Sequence, residues 1–382
     1  MAEKRVNAGS IALCRAAESS YGTAATPTHL LYARDMAGAT TMQDTYDNVG
    51  EANGNEESTL LLPTQTNTVL EFSNVPAYDL SLIYLLSHTL GSTGSGAAPS
   101  GATATKKFQW YPNVIGTSLK SQSVQVNHSD LSTGSAIYEN TLYKGCVVDS
   151  YTLSGSVGSK TWTQSVKYVC SGDTSAGSSI SSLIPPSYGP FLFNNTYCYF
   201  GSAYTPGSLV LPTSGQAPTG AEMTNALNLT PYLLGVTYSV QNNIDIEGSH
   251  QGSLGTLATT LPERAGRKQT LSLEFKWDPA DSGSFLKTLR SNTIPSTYQS
   301  YSAANSTACV IQCFSNVPID ASGTIYCYSF ALGFELLWLE SVKMGVRNGK
   351  RTITANFNIG KASNGSTNAA IFLPGTTGSY GN

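Results

Sequence analysis

Charged side chains are scarce in this chain. They make up 12% of its 382 residues, against about 25% in ordinary globular proteins. Glycine, with 36 residues, and long Ser/Thr/Asn stretches take their place. That balance suits a surface covered by neighbours or polar loops better than the surface of a free monomeric enzyme. The formal net charge of −3 argues against a sequence-reading nucleic-acid binder, which carries a basic face. A disulfide framework is missing as well. The seven cysteines are odd in number and scattered (Cys14, Cys146, Cys170, Cys198, Cys309, Cys313, Cys327), so reduced, buried thiols in a protein assembled in the cytosol are expected. Long apolar runs are lacking too. Ile11-Ala12-Leu13-Cys14, behind the charged Met1-Ala2-Glu3-Lys4-Arg5, is too short for a signal peptide. Leu80 to Leu86, the longest strongly apolar stretch, is too short to span a bilayer. The expectation is a soluble chain with no membrane insertion of its own.

The motifs of catalysis are also absent. The four histidines (His29, His88, His128, His250) share no metal-ligand spacing, and His88 reads as a helix-surface or core residue. Cys309 and Cys313 point to one face of a strand, but no second ligand pair accompanies them, which favours buried thiols over a zinc site. There is no GxSxG elbow, no phosphate loop and no GxGxxG after a strand. The chain therefore reads as a non-enzyme with no cofactor and no metal. Its 21 tyrosines could build a sugar-stacking platform, but tyrosine is also a good strand former with an apolar body and a polar tip, and a core or interface role is the preferred reading.

What the sequence does contain is an internal repeat. Leu70-Glu71-Phe72 returns as Leu273-Glu274-Phe275, 203 positions later, and each copy leads into an apolar segment. Asp149-Ser150, followed by Gly158-Ser159-Lys160-Thr161-Trp162-Thr163, returns without a gap 191 positions later as Glu340-Ser341 followed by Gly349-Lys350-Arg351-Thr352-Ile353-Thr354. Two landmarks in the same order at nearly the same spacing indicate a duplicated unit.

Period-2 alternation dominates between these landmarks. Leu271, Leu273, Phe275 and Trp277 alternate with polar residues, as do Trp162, Val166 and Tyr168, and Ile353, Ala355, Phe357 and Ile359. Tyr326 to Trp338 carries one long apolar face with Gly333 as a candidate bulge. From Thr237 to Glu247 the odd positions are all polar and the even ones apolar but for Asn242, which predicts one half-buried strand. Asn348-Gly349 predicts a type I′ hairpin, with Val157-Gly158-Ser159 in the matching place. One short helix is expected from near Pro76 to before Gly91, and a second from Asp278-Pro279 through Leu289.

The fold class is thus mainly β: two tandem antiparallel β-barrel or sandwich domains, each with a short flanking α-helix. The first domain is placed at 1–185 and the second at 186–360. A Gly/Ser/Thr/Asn-rich tail at 361–382 is expected to order only on a partner. The Ser171 to Pro190 segment is the expected linker, and Gly91 to Lys107 and Thr205 to Gly220 are expected loops.

Several short stretches resemble a known family. Arg15-Ala16-Ala17-Glu18-Ser19-Ser20-Tyr21-Gly22-Thr23-Ala24 resembles the "E-S/T-x-Y-G-T" opening of tail tube proteins of long-tailed bacteriophages. Tyr143 to Leu153 resembles their "G-C-x-V-x-S-x-T-L" strand. Val236 to Glu247 is similar to their "S-x-x-x-x-N-N-x" strand, and Arg267-Lys268 before Leu271-Ser272-Leu273 resembles the entry to a further strand. The resemblance implies a virion structural protein, built in the host cytoplasm, whose copies form stacked rings around a lumen that conducts DNA during genome ejection. Two tandem domains imply a homotrimeric ring with pseudo-sixfold symmetry. The implied partners are further copies of the chain, tape-measure, tail-tip or baseplate and terminator proteins, and double-stranded DNA passing without sequence recognition. Asn243, Asp245 and Glu247, the cleanest polar face opposite an apolar one, are the residues expected to face the lumen, because an acidic or neutral lining does not hold phosphates. A tail terminator, a head-decoration protein and a secreted carbohydrate-binding or adhesive β-protein are the alternatives.

Overall fold

The computed structural model describes residues 11–32, 41–49, 60–91, 100–101, 105–112, 119–130, 136–177, 187–204, 213, 218–221, 223–246, 249, 258, 260–278, 307–319, 323–360 and 368–374. The first half of the chain contains β1 (Ile11–Ala17), β2 (His29–Tyr32), β3 (Thr41–Val49), β4 (Leu60–Pro76), helix α1 (Asp79–Leu90), β5 (Thr105–Trp110), β6 (Gln122–Asp130), β7 (Ala136–Ser156), β8 (Thr163–Cys170) and β9 (Thr174–Ala176). The second half begins with β10 (Thr196–Gly201), β11 (Ala203–Tyr204), β12 (Met223–Thr224), β13 (Leu227–Asn228), β14 (Leu233–Gln241), β15 (Ile244–Asp245) and β16 (Glu263–Arg264). It continues with β17 (Lys268–Lys276), β18 (Thr307–Pro318), β19 (Cys327–Arg347), β20 (Lys350–Ile359) and β21 (Asn368–Pro374). The protein is mainly β. Seventeen strands join in one sheet, and β11–β12 and β15–β16 form two small ribbons.

Strand pairing recurs between the halves. In the first, β1 pairs with β2 and β6, β6 with the early part of β7, and β9 lies against that same part. The late part of β7 pairs with β8, β8 with β4, and β4 with β3. In the second, β10 pairs with β13 and β18, β18 with the early part of β19, and β21 lies against that part. The late part of β19 pairs with β20, β20 with β17, and β17 with β14. Even the irregularities correspond. Register slips between Val148 and Ser150 on β7 and between Leu339 and Ser341 on β19, which makes Asp149 and Glu340, 191 positions apart, the extra residues of matching bulges.

The sequence correspondence fails in one respect. Tyr151 lies opposite Val166, but Val342 lies opposite Ala355 rather than Phe357. The second hairpin closes through the two-residue turn Asn348-Gly349, with φ of 50° and 75°, the geometry a type I′ turn needs. The first closes over a longer loop from Gly155 to Trp162. The displacement is two residues, so every side chain keeps its face.

The main apolar core runs through both halves, from Leu70, Phe72 and Trp162 to Tyr238, Phe275 and Phe357, and a smaller cluster around Tyr199, Tyr204 and Val310 lies beside it. Helix α1 is buried along its whole length. It ends as expected at Gly91, which takes φ 79° and donates its N–H to the Ser87 carbonyl. At its start the Tyr78 N–H donates to Ser81 Oγ at 2.9 Å.

Other expectations are corrected. Part of the expected linker is folded, because Thr174–Ala176 adds to the sheet as β9, and its far end is tied to the helix, with Asp79 N–H donating to the Tyr188 carbonyl. Pro185 and Pro186 lie outside the described residues. Of the two expected loops, Gly91 to Lys107 includes the start of β5, and Tyr204 just before the second pairs with Met223. The tail contributes β21, which pairs with β19 and β5 of the same chain and so needs no partner to find a place. Gly333 is no bulge. It stands in regular register opposite Val310, and a Cβ there would meet the Tyr204 ring at 2.6 Å. The bulge lies further on, between Phe334 and Leu337, and beyond it Leu337 is buried while Trp338 is exposed. The second expected helix, beyond Asp278, falls outside the described residues.

Candidate functional site

Six neighbouring strands, in the order β8, β7, β14, β17, β20 and β19, present alternate residues away from the core. Their register aligns these residues into rows. Thr163, Ser154, Thr237, Ser272, Asn356 and Ser341 stand opposite one another in turn, one from each strand. The next row is Ser165, Thr152, Ser239, Thr270 and Asn358. Neither row carries a charge. Hydroxyls and amides satisfy each other along the rows: Thr152 with Ser239 at 3.2 Å, Ser154 with Thr163 at 3.2 Å, Ser272 Oγ donating to Asn356 Oδ1 at 2.7 Å, and Asn356 Nδ2 donating to Ser341 Oγ at 2.9 Å. Charges flank the rows: Lys167 pairs with Asp149 at 3.2 Å and Arg347 with Glu274 at 3.1 Å, and the exposed Lys268 and Lys343 stand on the same face, opposite Gln241 and Thr354. A shallow open depression of about 440 Å³ lies on this face, bordered by Asn74, Ser154, Thr237, Glu274 and Thr354.

Asn243 and Asp245, singled out from the sequence, are not on it. The expected strand from Thr237 to Glu247 stops at Gln241. Asn242 turns inward, its Nδ2 donating to the carbonyls of Thr89 at 3.1 Å and Val148 at 2.9 Å, and Asn243 takes φ 49°. That reversal ends the alternation. The Asn243 side chain donates to the Gly266 carbonyl, Asp245 is exposed on the β15–β16 ribbon opposite Glu263, and Glu247 lies outside the described residues. Thr237, Ser239 and the Ser150/Thr152/Ser154 alternation were visible in the sequence. Their alignment into rows was not, because register between distant strands leaves no local trace.

One edge of the sheet has no partner strand among the described residues. The late part of β7 is paired on both sides, with β8 on one and β14 on the other. Its counterpart on β19, Ser341 to Arg347, pairs with β20 alone among the described residues. Tyr151 and Leu153 on β7 are buried, whereas their counterparts Val342 and Met344 are 39% and 69% exposed, and Val346 is 73% exposed. At the opposite end of the sheet, β4 from Leu70 to Pro76 pairs with β8 alone among the described residues, while β3 lies on the preceding stretch, Leu60 to Val69.

Two quoted motifs meet in space. The Glu18 carboxylate accepts the N–H groups of Gly22 at 3.0 Å and Gly145 at 2.8 Å and the Ser123 hydroxyl at 2.8 Å. Gly145, at φ 61°, has no room for a Cβ, which would meet Tyr21 and Ser171 at 2.9 Å. The other two motifs meet at the helix end, where Arg267 Nε donates to Asn242 Oδ1 at 2.9 Å and its Nη2 to the carbonyls of Thr89 and Leu90. These residues hold the fold. The buried His88 Nδ1 contacts the Tyr84 carbonyl at 2.8 Å. Cys309 and Cys313 are buried, and burial pushes the Cys313 thiol up to about 12. No cluster of three potential metal ligands occurs among the described residues, and no helix there is long and apolar enough to cross a membrane. No family model matches the chain, and no curated protein matches it either.

Proposed function

We propose that this chain is the structural subunit of a bacteriophage tail tube, three copies closing a ring of pseudo-sixfold symmetry and the rings stacking around a DNA-conducting lumen. The observation that carries the reading is the contrast between two equivalent edges. Inside the chain, β14 fills the edge of β7; the matching edge of β19 has no partner strand among the described residues and is flanked by exposed Val342, Met344 and Val346. An exposed apolar edge strand invites another chain. The strand that corresponds to β14 is β3, so β3 of a neighbouring copy is the natural occupant. Repeating that junction would join copies head to tail, and a rotation that closes produces a ring without free edges.

The face that carries the two uncharged Ser/Thr/Asn rows then lines the lumen. Condensed counterions are released when lysines or arginines neutralise phosphates, so a basic lining would retain DNA. Hydroxyls that already satisfy each other offer the passing backbone little. Electron microscopy of the full chain, alone and carrying Met344→Glu with Val346→Lys, tests the reading. The expected result is long hollow tubes with three copies per ring from the wild type, and folded protein without tubes from the double variant. Tubes of undiminished length from the variant would rule out this edge as the ring contact. Single closed rings from the wild type would favour a terminator or decoration role, and a monomer that binds glycans an adhesive one.

A further inference from the structure

Cys146 and Cys170 face one another across β7 and β8, one step beyond the opposed pair Val147 and Val169 in the same register. Their sulfurs lie 2.6 Å apart and both side chains are wholly buried. Directly opposed residues of an antiparallel pair have Cα atoms about 4.5–5.5 Å apart, inside the span of about 4.4–6.8 Å that a disulfide bridges. The backbone is already in place. β7 also changes partners near this site, its early part pairing with β6 and β9 and its late part with β14 and β8. Tyr21 lies near the two thiols, packed on Gly145 in the loop that Glu18 fastens there.

We propose that Cys146 and Cys170 are a disulfide-forming site, oxidised by a low-molecular-weight disulfide once the chain leaves a reducing compartment; the departure, but not the chemistry, rests on the virion reading. One cysteine thiolate attacks a sulfur of the small disulfide, whose S–S bond breaks and releases one small thiolate. The second cysteine thiolate attacks the protein sulfur of the mixed disulfide, forming the Cys146–Cys170 bond and releasing the second small thiolate. The two protons from the cysteines go to the two departing thiolates, and the protein is oxidised by two electrons as the small disulfide is reduced by two. The bond pins β7 to β8 at the crossing point. The burial that slows the oxidant also slows any later reductant, so the bond persists once made.

Cys198 and Cys309 supply an internal contrast. They also sit on neighbouring strands with their thiols in hydrogen-bond contact, but Cys198 is opposite Ile311 and Cys309 opposite Phe200. Diagonal neighbours are about 7–8 Å apart, beyond the reach of a disulfide without backbone movement, so this pair is expected to stay reduced under the same oxidant.

The test is to incubate the purified full chain with oxidised glutathione, denature it, alkylate the remaining thiols and map the peptides by mass spectrometry. The expected result is one linked peptide pair containing Cys146 and Cys170, with the other five of the seven cysteines alkylated. In Cys170→Ser, Cys146 should instead be trapped as the mixed disulfide with glutathione. Seven alkylated cysteines in the wild type, or a link between any other pair, would overturn the proposal. The same protein observed by electron microscopy decides the tube reading separately, because the cross-link needs only the folded subunit.

Discussion

Asp79 shows how a single residue can set a pH dependence. It is 1% exposed, its Oδ2 accepts the Ser187 N–H at 3.1 Å, and its Oδ1 has no partner among the described residues. Burial pushes the carboxyl from 3.8 up to about 6, against the pull of the backbone N–H groups of Leu80, Tyr188 and Ser187. The folded state therefore holds a proton that the unfolded state releases. Its contribution is complete below about pH 4 and is lost as pH rises through about 6, by up to about 3 kcal/mol. Replacing Asp79 by Asn, which keeps an acceptor and carries no charge, should flatten stability between about pH 4 and about pH 7 and raise it at the upper end by about 2 kcal/mol. Urea unfolding at both ends of that range measures this. A variant that is less stable than wild type near neutrality would show the carboxylate to be stabilising instead. Asp79 was legible in the sequence only as a residue of the first helical turn, and its burial depends on the chain around Tyr188, more than a hundred residues away.

Among the elements, helix α1 and the second hairpin were the most legible. Pro76, the apolar run and Gly91 bracket the helix, and Asn348-Gly349 fixes the hairpin, because caps and tight turns are set by a few neighbouring residues. What secures the helix was not legible. Its last carbonyls, on Thr89 and Leu90, are satisfied by Arg267 and Asn242 from the second half of the chain. The guanidinium is lowered to about 10, first by burial and then by Arg264, and it sits where the helix dipole favours positive charge. Arg267→Ala should remove about 2–4 kcal/mol of stability, since it leaves buried carbonyls unsatisfied. Arg267→Lys should recover part of this, since a point charge replaces a fork of donors. Chemical denaturation of the two variants checks both. Equal stability of Arg267→Ala and wild type would mean that water serves the helix end as well as the guanidinium does.

For the whole molecule, the lining proposal separates two polar surfaces that alternation alone could not tell apart. Ser239 and Ser272 stand on the shared sheet face, whereas Asp245 stands on the β15–β16 ribbon. Under the tube reading, lysines in place of Ser239 and Ser272 should retard DNA release from assembled particles, with an effect that fades as salt is raised. Asp245→Lys should leave release unchanged. Ejection kinetics at low and high salt distinguish them, and a slow Asp245→Lys particle with a normal serine variant would return the lumen to the residues the sequence suggested. By itself the sequence determined the β class, the helix, the hairpin turn and the recurrence of landmarks at 203 and 191 positions, because period, caps and turn chemistry are local. Only the tertiary structure decided that the halves share one core, that β14 joins them through β7, that the tail adds a strand, and that Thr237 and Ser239 align with Ser272 and Thr270 while Asn243 and Asp245 turn away. Those outcomes depend on register and burial between segments far apart in the chain, and register is fixed by packing against the partner strand, of which a strand's own residues carry only half.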